Sequence, residues 1–267
     1  MDYKLIYTQY NNTYKKIQHS KPKKEYVNMK SIVKLFVIFA ILDLDNKKIL
    51  DINSKLADIS TKYNKFNNIK IKDIINHKSG LDNEWVIIDK HGKYKPSSLQ
   101  MNYYKSKDIY TYVTKLKQKF KYGTFHYNNY TYDILGQIIY DITGKYIDKY
   151  LENNLLKSIK YTWFKINGKP VCSFGMGIYA PHLPKLLKRL HKMSGIFIKY
   201  ANKYPNRVMQ KKHKCVTFYG HSGSGGQFLY MNKKFISCRF AYDDPDELPE
   251  NEQMTYEEFF DWVIYNK

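Results

Sequence analysis

The sequence predicts an α/β protein of the α+β kind, in which an antiparallel sheet is flanked by helices. Strand-like segments lie at both ends of the chain, and helix-like segments fill the region between them. No internal repeat or linker divides the 267 residues, and this length suffices for one domain with a buried core. We expect a single domain over 1–267, with a sheet lobe from 1–28 plus 205–267 and a mostly helical lobe from 29–204.

The predicted elements follow from local patterns. Residues 3–9 and 13–17 alternate loosely around an Asn-rich turn, which is typical of a β-hairpin. The most apolar run of the chain, 30–42, predicts a buried helix that ends near Asp43. Further helices are predicted over 71–77, 106–117, 130–142, 147–156 and 181–193, and strands over 215–219, 227–231 and 235–242.

Several of these elements carry recognisable end signals. Ser79-Gly80 is expected to stop the helix over 71–77, and Ser106 to cap the next helix. An acidic, proline-containing loop over 243–252 precedes a last helix, which Thr255 and Glu258 open as a capping box.

Composition sets limits on location and partners. Hydrophobic residues make up 43% of the chain, and 45 Lys+Arg against 24 Asp+Glu give a net charge of +21. This charge permits contact with nucleic acid or another polyanion. The basic residues are spread along the chain, however, and Lys, Asn, Ile and Tyr all have AT-rich codons. We therefore do not expect nucleic-acid binding to be the main function.

Cysteine usage and the apolar runs suggest a cytoplasmic protein. Cys172, Cys215 and Cys238 are odd in number and form no CxxC pair, which favours reduced thiols. The amino terminus lacks the basic-then-apolar order of a signal peptide. The run that ends at Leu42 is too short to span a bilayer, so no membrane span is expected.

A serine and a lysine stand at the start of the apolar run. In a helix, Ser31 and Lys34 are three residues apart and face the same side. One interpretation is an N-cap beside a solvated lysine. The other is an acyl-transfer nucleophile beside its base. Taken alone, this stretch favours the first interpretation.

Two further motifs follow in chain order, Tyr127-x-Asn129 and His221-Ser222-Gly223. By itself, Tyr127-Asn128-Asn129 could be a turn that caps the following helix. With Ser31-x-x-Lys34, and with longer similarities over Ile71–Leu81, Phe125–Gly144, Cys172–Leu187 and Phe218–Phe228, the sequence resembles the serine β-lactamase and penicillin-binding-protein superfamily. It is most similar to the branch of class C β-lactamases, DD-peptidases and esterases.

The resemblance implies a β-lactamase/transpeptidase-like fold and a serine hydrolase that uses an acyl-enzyme. Ser31 would be the nucleophile, with Lys34 and Tyr127 as general base and acid. The implied substrate-binding residues are Asn129, His221, Gly223 and Ser224. His221 would contact a substrate carboxylate as a polar or cationic group, and the N–H groups of Ser31 and Ser224 would form the oxyanion hole.

The implied substrate is a small molecule or peptide, namely an ester, an amide, a β-lactam or a D-amino-acid peptide. No metal or organic cofactor is expected, because the other histidines lack metal-ligand spacing. Lys30 stands where the family usually has a small residue, and only about thirty residues precede Ser31. These departures leave open an alternative, a catalytically inactive scaffold that binds a peptide or protein partner.

Overall fold

The computed structural model describes residues 4–10, 13–18, 26–88, 90–91, 93–206, 208–224, 227–233 and 235–241. The expected turn at Asn11-Asn12, the acidic loop over 243–252 and the last helix with Thr255 and Glu258 lie outside these residues.

Groups of strands and groups of helices follow one another along the described chain. The strands are β1 (Lys4–Tyr10), β2 (Thr13–Gln18), β3 (Tyr26–Asn28), β4 (Val86–Ile88), β5 (Tyr94–Pro96), β6 (Tyr161–Trp163), β7 (Lys165–Ile166), β8 (Lys169–Pro170), β9 (Met176–Tyr179), β10 (Gln210–His213), β11 (Val216–Gly223), β12 (Gln227–Met231) and β13 (Phe235–Ala241). The α-helices are α1 (Val33–Asn46), α2 (Leu56–Ile59), α3 (Ile71–Ile75), α4 (Ser98–Lys105), α5 (Ile109–Val113), α6 (Thr131–Thr143), α7 (Ile147–Glu152) and α8 (Leu183–Lys203). Short 3₁₀ helices cover Lys30–Ile32, Thr61–Phe66 and Ala180–His182.

The described residues fall into two compact units. Unit 1 consists of those within Met1–Phe39, Leu151–Trp163 and Phe174–Lys267. Unit 2 consists of those within Ala40–Tyr150 and Phe164–Ser173. These bounds differ from the lobe bounds expected from the sequence, chiefly because α8 belongs to the same unit as the large sheet. The expectation that residues 1–267 form a single domain stays a prediction.

Unit 1 is built on a six-stranded sheet with the strand order β10-β11-β12-β13-β1-β2. Neighbouring strands are antiparallel, and β1 pairs with β13 from Lys4 opposite Ala241 to Tyr10 opposite Phe235. The strand β12, one of the two central strands, is buried at every position, which matches its large aromatic and aliphatic side chains from Phe228 to Met231. The prediction of an antiparallel sheet made from both ends of the chain is confirmed.

The long helix α8 covers part of this sheet. It packs against β13, β1 and β11 through apolar residues that include Leu183, Leu190 and Phe197. The sequence predicted a helix that stops at Met193, but α8 continues to Lys203. The apolar positions recur with helical spacing after Met193, at Phe197, Ile198 and Ala201, and their burial carries the helix onward.

Unit 2 has α6 in its core. The first nine residues of α6 are buried, and they include the carboxylate of Asp133. Asp133 accepts hydrogen bonds from the Tyr103 hydroxyl at 2.8 Å and from the Cys172 N–H at 2.7 Å. Burial, with the charge of Asp133, raises the pKa of Tyr103 well above its usual value, so this phenol remains a donor. The carboxylate therefore ties α4 and the segment at 172 to α6.

Two predicted helix ends in unit 2 were wrong. Asp108, not Ser106, caps α5, where its side chain accepts the N–H groups of Tyr110 and Thr111. The helix α3 ends at Ile75, and His77 rather than Gly80 supplies the left-handed residue after it, with φ of 55°. Within the described residues, no helix is both long and apolar enough to cross a membrane.

Candidate active site

Ser31 lies in the 3₁₀ turn that opens α1. Its hydroxyl oxygen accepts a hydrogen bond from Lys34 Nζ at 3.1 Å. Lys34 is fully buried, as are all the residues from Ile32 to Leu42. The three-residue separation thus places the amine and the hydroxyl side by side, as helical geometry requires. The lysine is not a solvated surface group, which removes one part of the N-cap interpretation.

Lys30 holds a backbone conformation that suits glycine. Its φ is 45°, in the left-handed region. Its N–H donates to Asn28 Oδ1 at 2.9 Å, which supports the turn. A lysine in this region costs about 1 kcal/mol relative to glycine. The departure at Lys30 from the family pattern therefore has a structural counterpart in the backbone that leads into Ser31.

The end of β11 lies against this turn. A Cβ on Gly223 would be 2.9 Å from Lys30 Cβ and 3.4 Å from the Met29 carbonyl oxygen. No side chain larger than hydrogen fits between β11 and residues 29–30 without displacing one of them. Gly223 thus brings the last residues of β11 into contact with the segment that carries Ser31, and Ser224 follows as an exposed turn residue.

His221 lies on the same strand and is buried, with 1% of its surface exposed. Burial lowers the pKa of its imidazole to about 3, assisted by the charges of Lys34 and Lys211 and opposed by a hydrogen bond with the Ser222 carbonyl. That hydrogen bond joins Nδ1 and the Ser222 oxygen at 2.6 Å, so Nδ1 carries the hydrogen. The ring is neutral at physiological pH, and the cationic form of the expected substrate contact is not favoured.

Tyr127 and Asn129 lie in unit 2, on the loop that leads into α6. The Tyr127 carbonyl accepts a hydrogen bond from Asn83 Nδ2 at 2.6 Å. Its ring packs on His77, with 4.4 Å between the ring centroids. His77 in turn accepts the Asn128 N–H on its Nδ1 at 3.0 Å. The histidine at the end of α3 therefore fixes both the ring and the following peptide of this motif.

Asn128, between the two motif residues, is the anchor of the loop. Its Nδ2 donates to the carbonyl oxygens of Leu81 and Asp82, each at 3.0 Å. Its Oδ1 accepts the Thr131 N–H at 3.2 Å, which satisfies the first N–H group of α6. The Asn128 side chain thus supports the turn that leads into α6, while the N-cap position itself is Tyr130; this support does not compete with roles for Tyr127 and Asn129.

Ser31, Lys34, His221, Gly223 and Ser224 all belong to unit 1. Tyr127 and Asn129 belong to unit 2, and their approach to Ser31 stays a prediction. No three His, Cys, Asp or Glu side chains of the described residues are grouped as metal ligands.

Sequence reasoning missed the supporting residues. It assigned no specific role to Asn83 or His77, and it treated Asn128 only as part of a turn that could cap the next helix. The sequence signal for His77 was its place two residues before Ser79-Gly80 in the segment 71–81. Asn83 carries no signal at all, because its bond to the Tyr127 carbonyl joins residues 44 positions apart.

Comparisons with known proteins now identify the family. Residues 4–173, more than half of the chain, match the family model described as Beta-lactamase. An N-acetylmuramyl-L-alanine amidase of Bacillus subtilis (strain 168) is 27% identical over 169 residues, which cover 61% of this chain and 35% of the amidase. The chain thus spans about a third of the length of the curated relative that it matches.

Solved structures share the fold. A penicillin binding protein from Bacillus halodurans is similar, with a TM-score of 0.62 and 18% identity. The match covers 89% of this chain and 91% of the penicillin binding protein. A D-stereospecific amidohydrolase from Streptomyces sp. has a TM-score of 0.70 and 12% identity. The match covers 99% of this chain and 94% of the amidohydrolase. At these identities the likeness establishes the β-lactamase/transpeptidase fold and nothing finer.

Proposed function

The chain belongs to the β-lactamase family, and on this basis we propose that it is a serine hydrolase that forms an acyl-enzyme on Ser31. The observation that carries the proposal is the 3.1 Å hydrogen bond between Ser31 Oγ and Lys34 Nζ at the start of α1. A serine hydroxyl is a weak nucleophile and needs a base within this distance. A surface serine with no such partner could not serve.

In the acylation step, Ser31 Oγ attacks the carbonyl carbon of the substrate while its proton passes to the Lys34 amine. The oxyanion that forms is stabilised by the N–H groups of Ser31 and Ser224. The carbon–nitrogen or carbon–oxygen bond to the leaving group then breaks, and the leaving group takes a proton relayed by Tyr127. A water molecule then adds to the acyl carbon, the ester bond to Ser31 Oγ breaks, and a proton from the water returns to Ser31 Oγ as the acid is released.

The other site residues hold this arrangement. Asn129 would hydrogen-bond the substrate amide, and Gly223 would let β11 lie close to the nucleophile. Because His221 is buried and neutral, we assign it a positioning role at the end of β11 in place of direct substrate contact. Its hydrogen bond to the Ser222 carbonyl orients the residues that lead to Ser224.

For the substrate we propose an amide, with a D-amino-acid amide or a short peptide as the first class to test. The amidase and the amidohydrolase among the similar proteins support this class. Esters and β-lactams present the same carbonyl chemistry and serve as alternative probes. D- and L-phenylalaninamide, assayed in parallel, would establish the stereochemical preference.

Covalent labelling tests the nucleophile. We expect a fluorescent fluorophosphonate or penicillin to label the wild type on Ser31, as located by peptide mass spectrometry. Ser31→Ala should abolish the label, while Ser98→Ala, an exposed serine on α4, should keep it. Lys34→Met should slow labelling by at least about a thousandfold. Absence of labelling by both probes in folded wild type would favour the inactive scaffold instead.

A further inference from the structure

The acidic residues of this chain are distributed very unevenly. Between Asn153 and Tyr242 there is no Asp or Glu in 90 residues, while the same segment holds 17 Lys and Arg. The rest of the chain has 28 Lys and Arg against all 24 Asp and Glu. AT-rich codons explain many lysines, but they do not explain the loss of carboxylates from one third of the chain. The net charge is therefore concentrated, although the lysines are spread.

The structure assigns most of this segment to unit 1. Among the described residues of unit 1, Glu152 is the one acidic side chain. In unit 2, by contrast, lysines meet carboxylates. Lys62 pairs with Asp141 at 2.6 Å, and Lys165, from the acid-free segment itself, pairs with Asp148 at 2.6 Å. These two lysines of unit 2 are thus neutralised locally.

The exposed side of α8 concentrates the charge of unit 1. Lys185, Lys188, Lys192, Lys199 and Lys203 are all exposed, and the helix contains no acidic residue. Their offsets of 3, 7, 14 and 18 residues place them within about 60° of one another around the helix axis. At 1.5 Å per residue the stripe extends for about 27 Å. Five ammonium groups therefore form a straight ridge, since the opposite side of α8 is packed on the sheet.

A neighbouring loop widens this ridge near the start of α8. Arg189 donates through one guanidinium nitrogen to the carbonyl oxygens of Leu155, at 3.1 Å, and of Lys157. The His182 ring accepts the Lys160 N–H at 2.7 Å. These bonds hold the exposed side chains of Lys157 and Lys160 beside the helix. We call the seven lysines of the loop and the ridge the basic face; within the described chain they have no carboxylate partner.

We propose that the basic face binds the phosphate backbone of duplex nucleic acid without reading its sequence. A straight ridge of about 27 Å matches about eight base pairs of a duplex at 3.4 Å per pair. The ridge is made of lysine, which binds phosphates as a point charge, whereas base recognition relies on bidentate arginine or amide contacts. The chemistry therefore predicts non-specific, salt-dependent binding.

An anionic membrane is the less favoured occupant. Peripheral membrane helices insert large apolar residues beside their basic ones. The apolar side of α8 is buried against the sheet, and none of the large exposed hydrophobic side chains of the described residues, such as Ile88, Met101 and Phe164, belongs to unit 1. A further competitor is the chain's own segment over 243–261, which carries nine carboxylates in sequence. The wild type and both variants of the test below retain this segment, so it competes equally in all three proteins.

Two full-length variants with equal loss of charge test the proposal. The first replaces the ridge, with Lys185, Lys188, Lys192, Lys199 and Lys203 each changed to Gln. The control replaces five exposed lysines of unit 2 in the same way, Lys90, Lys95, Lys105, Lys107 and Lys121. Gln keeps the helix propensity of Lys, and circular dichroism would verify folding. Binding to a fluorescent duplex of random sequence is measured over a salt series.

Wild-type binding should weaken steeply with salt, because each phosphate contact adds about 0.9 to the slope of log K against log salt. The ridge variant should lose about 4 from that slope, and the control variant less than about 1. Equal losses in both variants would overturn the proposal, since net charge alone would then explain binding. No duplex binding by the wild type at low salt would also overturn it, as would stronger binding to phosphatidylserine vesicles than to duplex at equal phosphate.

Discussion

At the scale of single residues, His221 illustrates how a position in the site decides protonation. Its imidazole is enclosed beside the amine of Lys34, and both the lost hydration and the nearby positive charge oppose protonation. The sequence motif allowed either a neutral or a cationic histidine. Burial, which the motif does not encode, selects the neutral form.

This protonation state predicts a dependence of stability on pH. The pKa of His221 falls from its ordinary 6.5 to about 3 on folding, so the unfolded chain binds the proton first as the pH is lowered. The stabilising contribution is complete above pH 6.5 and is lost progressively as the pH falls towards about 3. His221→Asn retains an N–H donor but no titrating ring. We therefore expect it to flatten the wild-type decline in the free energy of unfolding over this range.

Urea denaturation at a series of pH values would measure this effect as the difference between wild type and variant, because carboxylates that titrate in the same range cancel. His191→Asn, on the half-exposed side of α8, is the matched control and should follow the wild type. A parallel decline in wild type and His221→Asn would show that the imidazole is not held neutral by the fold.

At the scale of secondary-structure elements, β11 contacts the turn before α1 that carries Ser31, the proposed nucleophile. Gly223→Ala would place a Cβ 2.9 Å from Lys30 Cβ. We expect the free energy of unfolding to fall by about 1 to 3 kcal/mol, and fluorophosphonate labelling of Ser31 to slow, because the turn must shift. Gly195→Ala, where nothing lies within 4 Å, should be neutral or stabilising.

Lys30→Gly tests the same contact from the other side. It removes the opposing Cβ and relaxes the left-handed φ of 45°, so by itself it should stabilise the protein by about 0.5 to 1 kcal/mol. In the double variant the cost of Gly223→Ala should fall below about 1 kcal/mol. Strict additivity of the two changes would mean that the strand and the turn do not interact.

The elements also indicate how far the sequence could predict this molecule. Periodicity and turn residues predicted the sheet, its origin in both ends of the chain and the buried helix that follows Ser31, because these depend on local pattern. The predicted end of α8 was wrong, because continued packing on the sheet carries the helix to Lys203. The local patterns also failed at Lys30, where a strained φ depends on contacts from β11, and at Asn83, which acts through a distant carbonyl. The roles of Tyr127 and Asn129 stay predictions.

At the scale of the whole molecule, composition conceals an asymmetry. A net charge of +21 causes weaker local repulsion if the carboxylates lie beside the lysines than if they are separated from them. In the described residues, several lysines of unit 2 pair with carboxylates, whereas α8 carries five exposed lysines and no acidic residue. Because Lys and Arg exceed Asp and Glu by 21 over the whole chain, repulsion among like charges should destabilise the folded protein, whatever the basic face binds.

This excess of positive charge predicts that salt stabilises the protein. Raising NaCl from about 20 mM to about 500 mM shortens the Debye length severalfold and screens the repulsion, so the thermal midpoint should rise by several degrees. The variant with five Gln on α8 should have a higher midpoint at low salt and a weaker response, because part of the repulsion is already gone. The five-Gln control in unit 2 should respond more like the wild type. Differential scanning fluorimetry without nucleic acid would measure all three proteins. A midpoint that falls with salt would mean that attractive ion pairs outweigh the repulsion in the folded chain.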